Sequence, residues 1–194
     1  MIPAFTLKTA STSEVVTLAD LKSHLRVDHD DEDALIAGYA QAASQWVETY
    51  TGRSLSTQTW QLSMASIPRQ VWLPRAAPLQ TVTHVKYYDS TNVLTTLSAT
   101  NYIVPAFHEP GMVELLDTAT LPSVYSRSDA VQIEYVTGYA EGACPQQLAQ
   151  AVQTLAAHFY EHREATVVFT INKEVEFAVT ALCSPYRIWW RGPE

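Results

Sequence analysis

Glycine is scarce in this chain of 194 residues, six in all, and none sits in the clustered spacing of a loop that cradles phosphate. That rules against a nucleotide site of the Gly-rich kind. Cysteine is scarcer still: Cys144 and Cys183 are too few and too far apart for a disulfide framework or a zinc site, and read as reduced thiols. Charged residues make up only 16% of the chain, with a net charge of −8, and no window gathers Lys and Arg. A protein that grips nucleic acid by neutralising phosphates needs such a cluster. An acidic surface suits a conduit along which DNA slides without sticking. No run of eighteen apolar residues occurs, and the start MIPAFTLKTASTSE lacks the basic segment and apolar block of a signal peptide. The expectation is a protein neither exported nor membrane-spanning. No serine lies in a G-x-S-x-G elbow and neither cysteine carries a local nucleophile signature.

What is present is 47% hydrophobic, enough for one domain with a core or a compact domain carrying a large insertion. The chain is organised around Asp30–Gly52. Leu35, Ile36, Tyr39, Trp46, Val47 and Tyr50 recur there at three-and-four spacing, the mark of one helical stripe. Asp30, Asp31, Glu32 and Asp33 crowd its start, where the helix dipole favours negative charge, and Gly52 stands at the expected left-handed cap. Before it, Thr17 caps a short helix over TLADLKSHLRV, with Asp20 placed to reach back as in a capping box. From Ser54 to Tyr139 the period changes to alternation. Strands are expected at Thr57–Met64, Gln70–Leu73, Thr81–Tyr88, Val93–Leu97, Tyr102–Val104, Met112–Leu116 and Ala130–Tyr135, with links too short for the crossover helices of a parallel sheet.

Helical spacing returns after Cys144, with Pro145 at the first helical position and Leu148, Val152, Leu155, Ala156 and Phe159 on one face. The last stretch reads as two alternating segments, TVVFTI and EVEFAV, followed by LCSPYRIWWRGPE. The fold class is therefore α+β: a small bundle of three main helices, an inserted antiparallel β-sheet region and an extended C-terminal tail. The divisions are 1–55 for the N-terminal helical part, 56–143 for the β insertion, 144–165 for the third helix and 166–194 for a docking tail. The bundle core is expected from Leu21, Leu25, Leu35, Ile36, Tyr39, Trp46, Val152, Leu155 and Phe159.

Three patterns raise the question of chemistry. Asp28 to Asp33 resembles a cation loop, but the glycine required at the sixth position is Asp33, so helix-end electrostatics explain the run better. His158 and His162 lie one turn apart, yet HFYEH lacks the Glu that follows the first His in zinc proteases, and a helix-end pair that caps carbonyls or lines an interface is the plainer reading. Trp46 and Tyr50 at helical spacing are core before they are a stacking platform. Trp189 and Trp190 are harder to bury together, because neighbours on a strand face opposite ways, which favours a partner surface or a crossing between two layers.

TLADLKSHLRVDHDDEDALIAGYAQAASQWVETYTGRSL, followed in order by QTWQLSM, VWLPRAAPL, VKYYD, VQIEYVTGY, HFYEHRE and ALCSPYRIW, resembles the gp6-like head-tail connector (adaptor) family of tailed phages, in its larger form with a β insertion. The resemblance implies a non-enzymatic adaptor without cofactor or metal, assembled in the bacterial cytoplasm into the virion neck. Its implied partners are a portal protein, a stopper or tail-completion protein, and copies of itself in a ring, twelvefold to match the portal. DNA would pass through the lumen unbound, and no membrane is involved. The tail would dock on the portal through Tyr186, Arg187, Ile188, Trp189 and Trp190, with strand contacts from Val167, Phe169, Ile171, Val175, Phe177 and Val179. Two other readings stand beside it: a stopper or tail-completion protein of the same neck, and a metal-dependent nuclease using Asp28, His29, Asp30 and Asp31.

Overall fold

A computed structural model of the chain describes residues 4–119, 123–162 and 173–189. In chain order the elements are β1 (Ala4–Thr9), α1 (Leu18–Leu25), α2 (Asp33–Thr51), β2 (Gln58–Met64), β3 (Gln70–Trp72), β4 (Leu79–Tyr88), β5 (Leu94–Thr96), β6 (Tyr102–Ile103), β7 (Met112–Leu115), β8 (Val131–Thr137), α3 (Gln146–Glu161) and α4 (Lys173–Cys183). They fall into two compact units, one of residues 1–12 and 57–138, the other of residues 13–56 and 139–194. The architecture is α+β. Among the described residues no helix is long and apolar enough to cross a membrane.

In the helical unit the caps follow from the sequence. Thr17 Oγ1 accepts the Asp20 N–H at 3.1 Å, satisfying one orphan donor of the α1 start, and donates to the Asp20 carboxylate at 2.7 Å, so Asp20 reaches back to the cap hydroxyl rather than to the cap N–H. Arg26 turns into the left-handed region to end α1, and Gly52 does the same for α2 with φ 71°. The stripes of the helices then meet in one core of Leu21, Ile36, Ala43, Val47, Leu148, Val152, Leu155, Val179 and Cys183. Each fully buried Leu, Ile or Val there contributes about 1.5–3 kcal/mol.

In the sheet unit every strand pairing is antiparallel. Five strands lie in the order β1-β2-β8-β4-β5 and three in the order β3-β7-β6. The register sets Trp60, Leu62 and Met64 opposite Tyr135, Ile133 and Val131, which puts the alternating apolar residues of β2 and β8 on one face. That face packs with Val71, Val113 and Leu115 of the smaller sheet and with Leu73 just after β3. Tyr135, fully buried, donates its hydroxyl to the Pro74 carbonyl at 2.6 Å, and burial raises its phenol well above the usual range.

Several expectations are corrected. Val175, Phe177 and Val179, read as strand residues, lie on α4, a fourth helix that belongs to the helical unit. The run EVEFAVTALC satisfies alternation over six residues and helical spacing over ten, and burial of Val179 and Cys183 one turn apart selects the helix. Val167, Phe169 and Ile171 lie outside the described residues. Leu35, expected in the bundle core, is 39% exposed, because its neighbour Ile36 takes the inward position on α2. Leu21, Ile36, Val152 and Leu155 are buried, and Leu25, Tyr39, Trp46 and Phe159 pack half-buried around them. The β region forms two sheets rather than one, and the extended start becomes β1, paired to β2. Pro145 occupies the cap position of α3, one residue before the helix.

Candidate docking site at the end of the long helix

The acidic start of α2 is engaged in helix–helix contacts. Lys22 on α1 donates to Asp30 at 2.5 Å and to Asp33 at 2.7 Å, and the Tyr160 hydroxyl on α3 donates to Glu32. The hydrogen bond from Lys22 holds the Asp30 carboxyl below its usual range. His29 Nδ1 stands 3.9 Å from Asp31, both exposed. The four residues of the nuclease reading are thus divided: Asp30 faces an ammonium, and no group of three or more potential ligands converges among the described residues. Burial pushes the Cys183 thiol up to about 11, and burial with the Glu48 charge does the same for Cys144. Neither thiol ionises near neutral pH, so neither is an activated nucleophile.

The histidine pair lies at the end of α3, ring centroids 4.4 Å apart. His162 Nδ1 lies 3.1 Å from the His158 carbonyl, the capping geometry expected of such a pair. His158 is buried, and desolvation, aided by the His162 charge, lowers its pKa.

The other end of α2 collects the residues expected to dock. Trp46 and Tyr50, one turn apart, stack with centroids 5.2 Å apart and planes within 4°. The Arg187 guanidinium lies 4.8 Å from the Tyr50 ring and 4.3 Å from the Trp189 ring, so Trp46, Tyr50, Arg187 and Trp189 form a ladder of aromatic and cation. The ladder is anchored by backbone. The Ile188 N–H donates to the Thr51 carbonyl at 2.8 Å, satisfying one of the acceptors orphaned at the helix end. Arg53, 7% exposed, donates from Nε to the Tyr186 carbonyl at 2.5 Å and from a terminal nitrogen to the Tyr139 hydroxyl at 3.3 Å. A guanidinium is tolerated in such a place because its fork meets acceptors in fixed directions.

The structure therefore brings Tyr186, Arg187, Ile188 and Trp189 together on the end of α2. Trp190 lies outside the described residues. Tyr186, Arg187 and Ile188 are half-buried, whereas Trp189 is 73% exposed at the open end of the ladder. Val175 and Val179 turn into the helical core, while Phe177 on the far side of α4 is 76% exposed. Sequence reasoning missed Arg53 and Tyr139. A single Arg after a helix-capping glycine has no motif, and only its long-range partners reveal what it holds.

Two capped helices, a β region inserted before the third, and a C-terminal aromatic segment folded onto the end of α2 define an α+β class of protein; no group of three or more potential metal ligands converges among the described residues. Comparison with known proteins gives that class a place. Residues 15–102 match the family model described as phage gp6-like head-tail connector protein, so the chain resembles that family in sequence as its motifs led us to expect. Three solved structures contain similar chains, each at 27% identity. One is the neck of an empty GTA particle computed with C6 symmetry, with TM-score 0.79 over 98% of both chains. Another is the virion of a native gene transfer agent (GTA) particle, with TM-score 0.77 over 97% of this chain and 98% of that one. The third is the neck of a native GTA particle computed with C12 symmetry, with TM-score 0.77 over 98% of both. A search of curated proteins found no match. The chain is thus similar, over nearly its whole length, to structural proteins of the neck of phage-like particles.

Proposed function

We propose that this chain is a ring-forming adaptor of the neck of a tailed phage or phage-like particle. Twelve copies would continue the DNA channel below the portal, with a stopper or tail-completion protein beneath. The observation that carries the reading is the likeness over 98% of both chains to chains of necks computed with C6 and C12 symmetry. Cyclic necks are built from heterologous contacts, in which one face of a subunit meets a different face of the next. The role is structural and calls for no cofactor. The net charge of −8 suits a lumen that must not hold DNA.

Docking on the portal is assigned to Tyr186–Trp190, with Trp189 as the exposed aromatic that a partner pocket takes up first. Aromatic anchors of this kind typically cost about 2 kcal/mol or more when truncated in a complex, and little in the free protein. The Trp189→Ala variant is expected to keep its helical signal and melting temperature and to lose at least about tenfold in affinity for portal rings by sedimentation. Mass photometry of the wild type with and without portal should show a ring, or a monomer that assembles on the portal. A persistent monomer with no portal binding would sink the proposal.

A further inference from the structure

Arg187 is the charged member of the ladder at the end of α2. Its guanidinium lies 4.8 Å from the Tyr50 ring and 4.3 Å from the Trp189 ring. Aromatic faces balance its charge, but they do not satisfy its N–H donors, which form a rigid fork that matches a carboxylate. Among the described residues Arg187 is held by these two rings and by its backbone N–H, which donates to the Ser184 carbonyl at 3.2 Å; neither a carboxylate nor a carbonyl takes up the fork. The acceptors at the end of α2 are engaged elsewhere. The Glu48 carboxylate accepts the Leu55 N–H at 2.8 Å, the Glu48 carbonyl accepts from Gly52 at 2.9 Å, and the Thr51 carbonyl accepts from Ile188 at 2.8 Å. Arg53 makes the contrast, since its donors already meet the Tyr186 carbonyl and the Tyr139 hydroxyl.

We propose that the portal surface receiving this segment presents a carboxylate beside its apolar pocket for Trp189, and that Arg187 donates to that carboxylate through its fork. The inference rests on the docking reading above and adds the chemistry of the partner. Arg187 is half-buried and in contact with Trp189, so a pocket that takes up the exposed indole also strips water from the guanidinium. A charge that loses its water without gaining a partner opposes binding. An apolar pocket alone would therefore be resisted at this position. A single carbonyl would accept one N–H and leave the charge uncompensated, whereas a carboxylate satisfies both needs. The pairing is directional, so Arg187, backed by Tyr50, also sets the orientation in which Trp189 enters.

The test is a double-mutant cycle, read by sedimentation of the full chain with portal rings at fixed salt. Arg187→Met keeps an apolar stem against Tyr50; it should retain the helical ellipticity of the free protein and lose at least about thirtyfold in affinity for wild-type rings. Arg187→Lys should recover only part of the loss, because an ammonium lacks the fork. Portal rings with each surface Asp or Glu changed to Ala in turn complete the cycle. One of them should weaken the wild-type chain by a similar factor and make no further difference to Arg187→Met. Unchanged affinity in Arg187→Met while Trp189→Ala is weakened overturns the carboxylate and leaves the docking reading standing, as does a cycle in which no acidic portal residue couples to Arg187. A loss confined to ring formation by this chain alone assigns the carboxylate to a second copy and overturns the portal contact. If Arg187→Met and Trp189→Ala both bind as the wild type does, or the wild type does not bind portal rings, the docking reading falls and the inference with it.

Discussion

Arg53 shows how much a single side chain can hold at the end of a helix. Its guanidinium links the turn after α2 to the Tyr186 carbonyl and the Tyr139 hydroxyl, which lie 133 and 86 residues away in sequence. Removing it leaves the half-buried Tyr186 carbonyl without that donor. Hydrogen bonds to charged groups contribute about 1.5–3 kcal/mol each, and leaving a buried acceptor unpaired adds to the loss. Arg53→Met should therefore lower the unfolding free energy of the helical unit by about 2–4 kcal/mol, read from urea titration of helical ellipticity. Arg53→Lys should recover only part of it, because one ammonium cannot reproduce a fork that meets acceptors in two directions. A loss under about 0.5 kcal/mol in the Met variant would mean the bonds are not formed in solution. The same long-range dependence explains why this residue was not legible in sequence. Thr17, Asp20 and Gly52 act on neighbours within four residues, and local spacing was enough to assign them.

At the scale of elements, α4 tests the limits of periodicity. In a strand Val175, Phe177 and Val179 would share one face; in the helix Phe177 stands apart from the other two. The two cases differ in energy. Val179→Ala is expected to destabilise by about 1–2.5 kcal/mol through lost burial and a residual cavity, and Phe177→Ala to stay within about 0.5 kcal/mol. Equal losses at both positions would return the segment to a strand. The seven strands of the insertion were legible because Pro, Gly and Asp-Ser-Thr-Asn breaks bound each of them, and the structure finds each within two residues of its expected ends. The division into two sheets was not, since it depends on which strands face each other across the core. α4 was misread because six alternating residues fit both periods, and its buried partners Leu148 and Leu155 lie on another helix. The docking cluster was legible as a composition of aromatics and Arg, but its placement against Tyr50 and Thr51 was not.

At the scale of the whole molecule, sign of charge decides what the protein avoids. With 20 acidic against 12 basic side chains, and Arg69, Arg127 and Lys22 already paired to Asp117, Asp129 and the α2 carboxylates, few cations are available to displace counterions from DNA. Fluorescence anisotropy with labelled duplex at physiological salt should show no binding at micromolar protein, and lowering the salt should give little more. A steep gain at low salt would mean a basic surface created by assembly or by folding. The order of the elements along the chain has its own consequence for synthesis. The helical unit is made of residues 13–56 and 139–194, with the sheet unit threaded between. α2 leaves the ribosome with its stripe uncovered and waits for α3 while more than ninety residues are added, roughly 5–20 s at typical elongation rates. The inserted sheet receives its last strand, ending at Thr137, nine residues before α3 begins. Birth order therefore makes the β insertion the first part of the molecule to finish and the helical unit the last, and a chaperone that shelters Ile36, Val47 and Trp46 would act in that window.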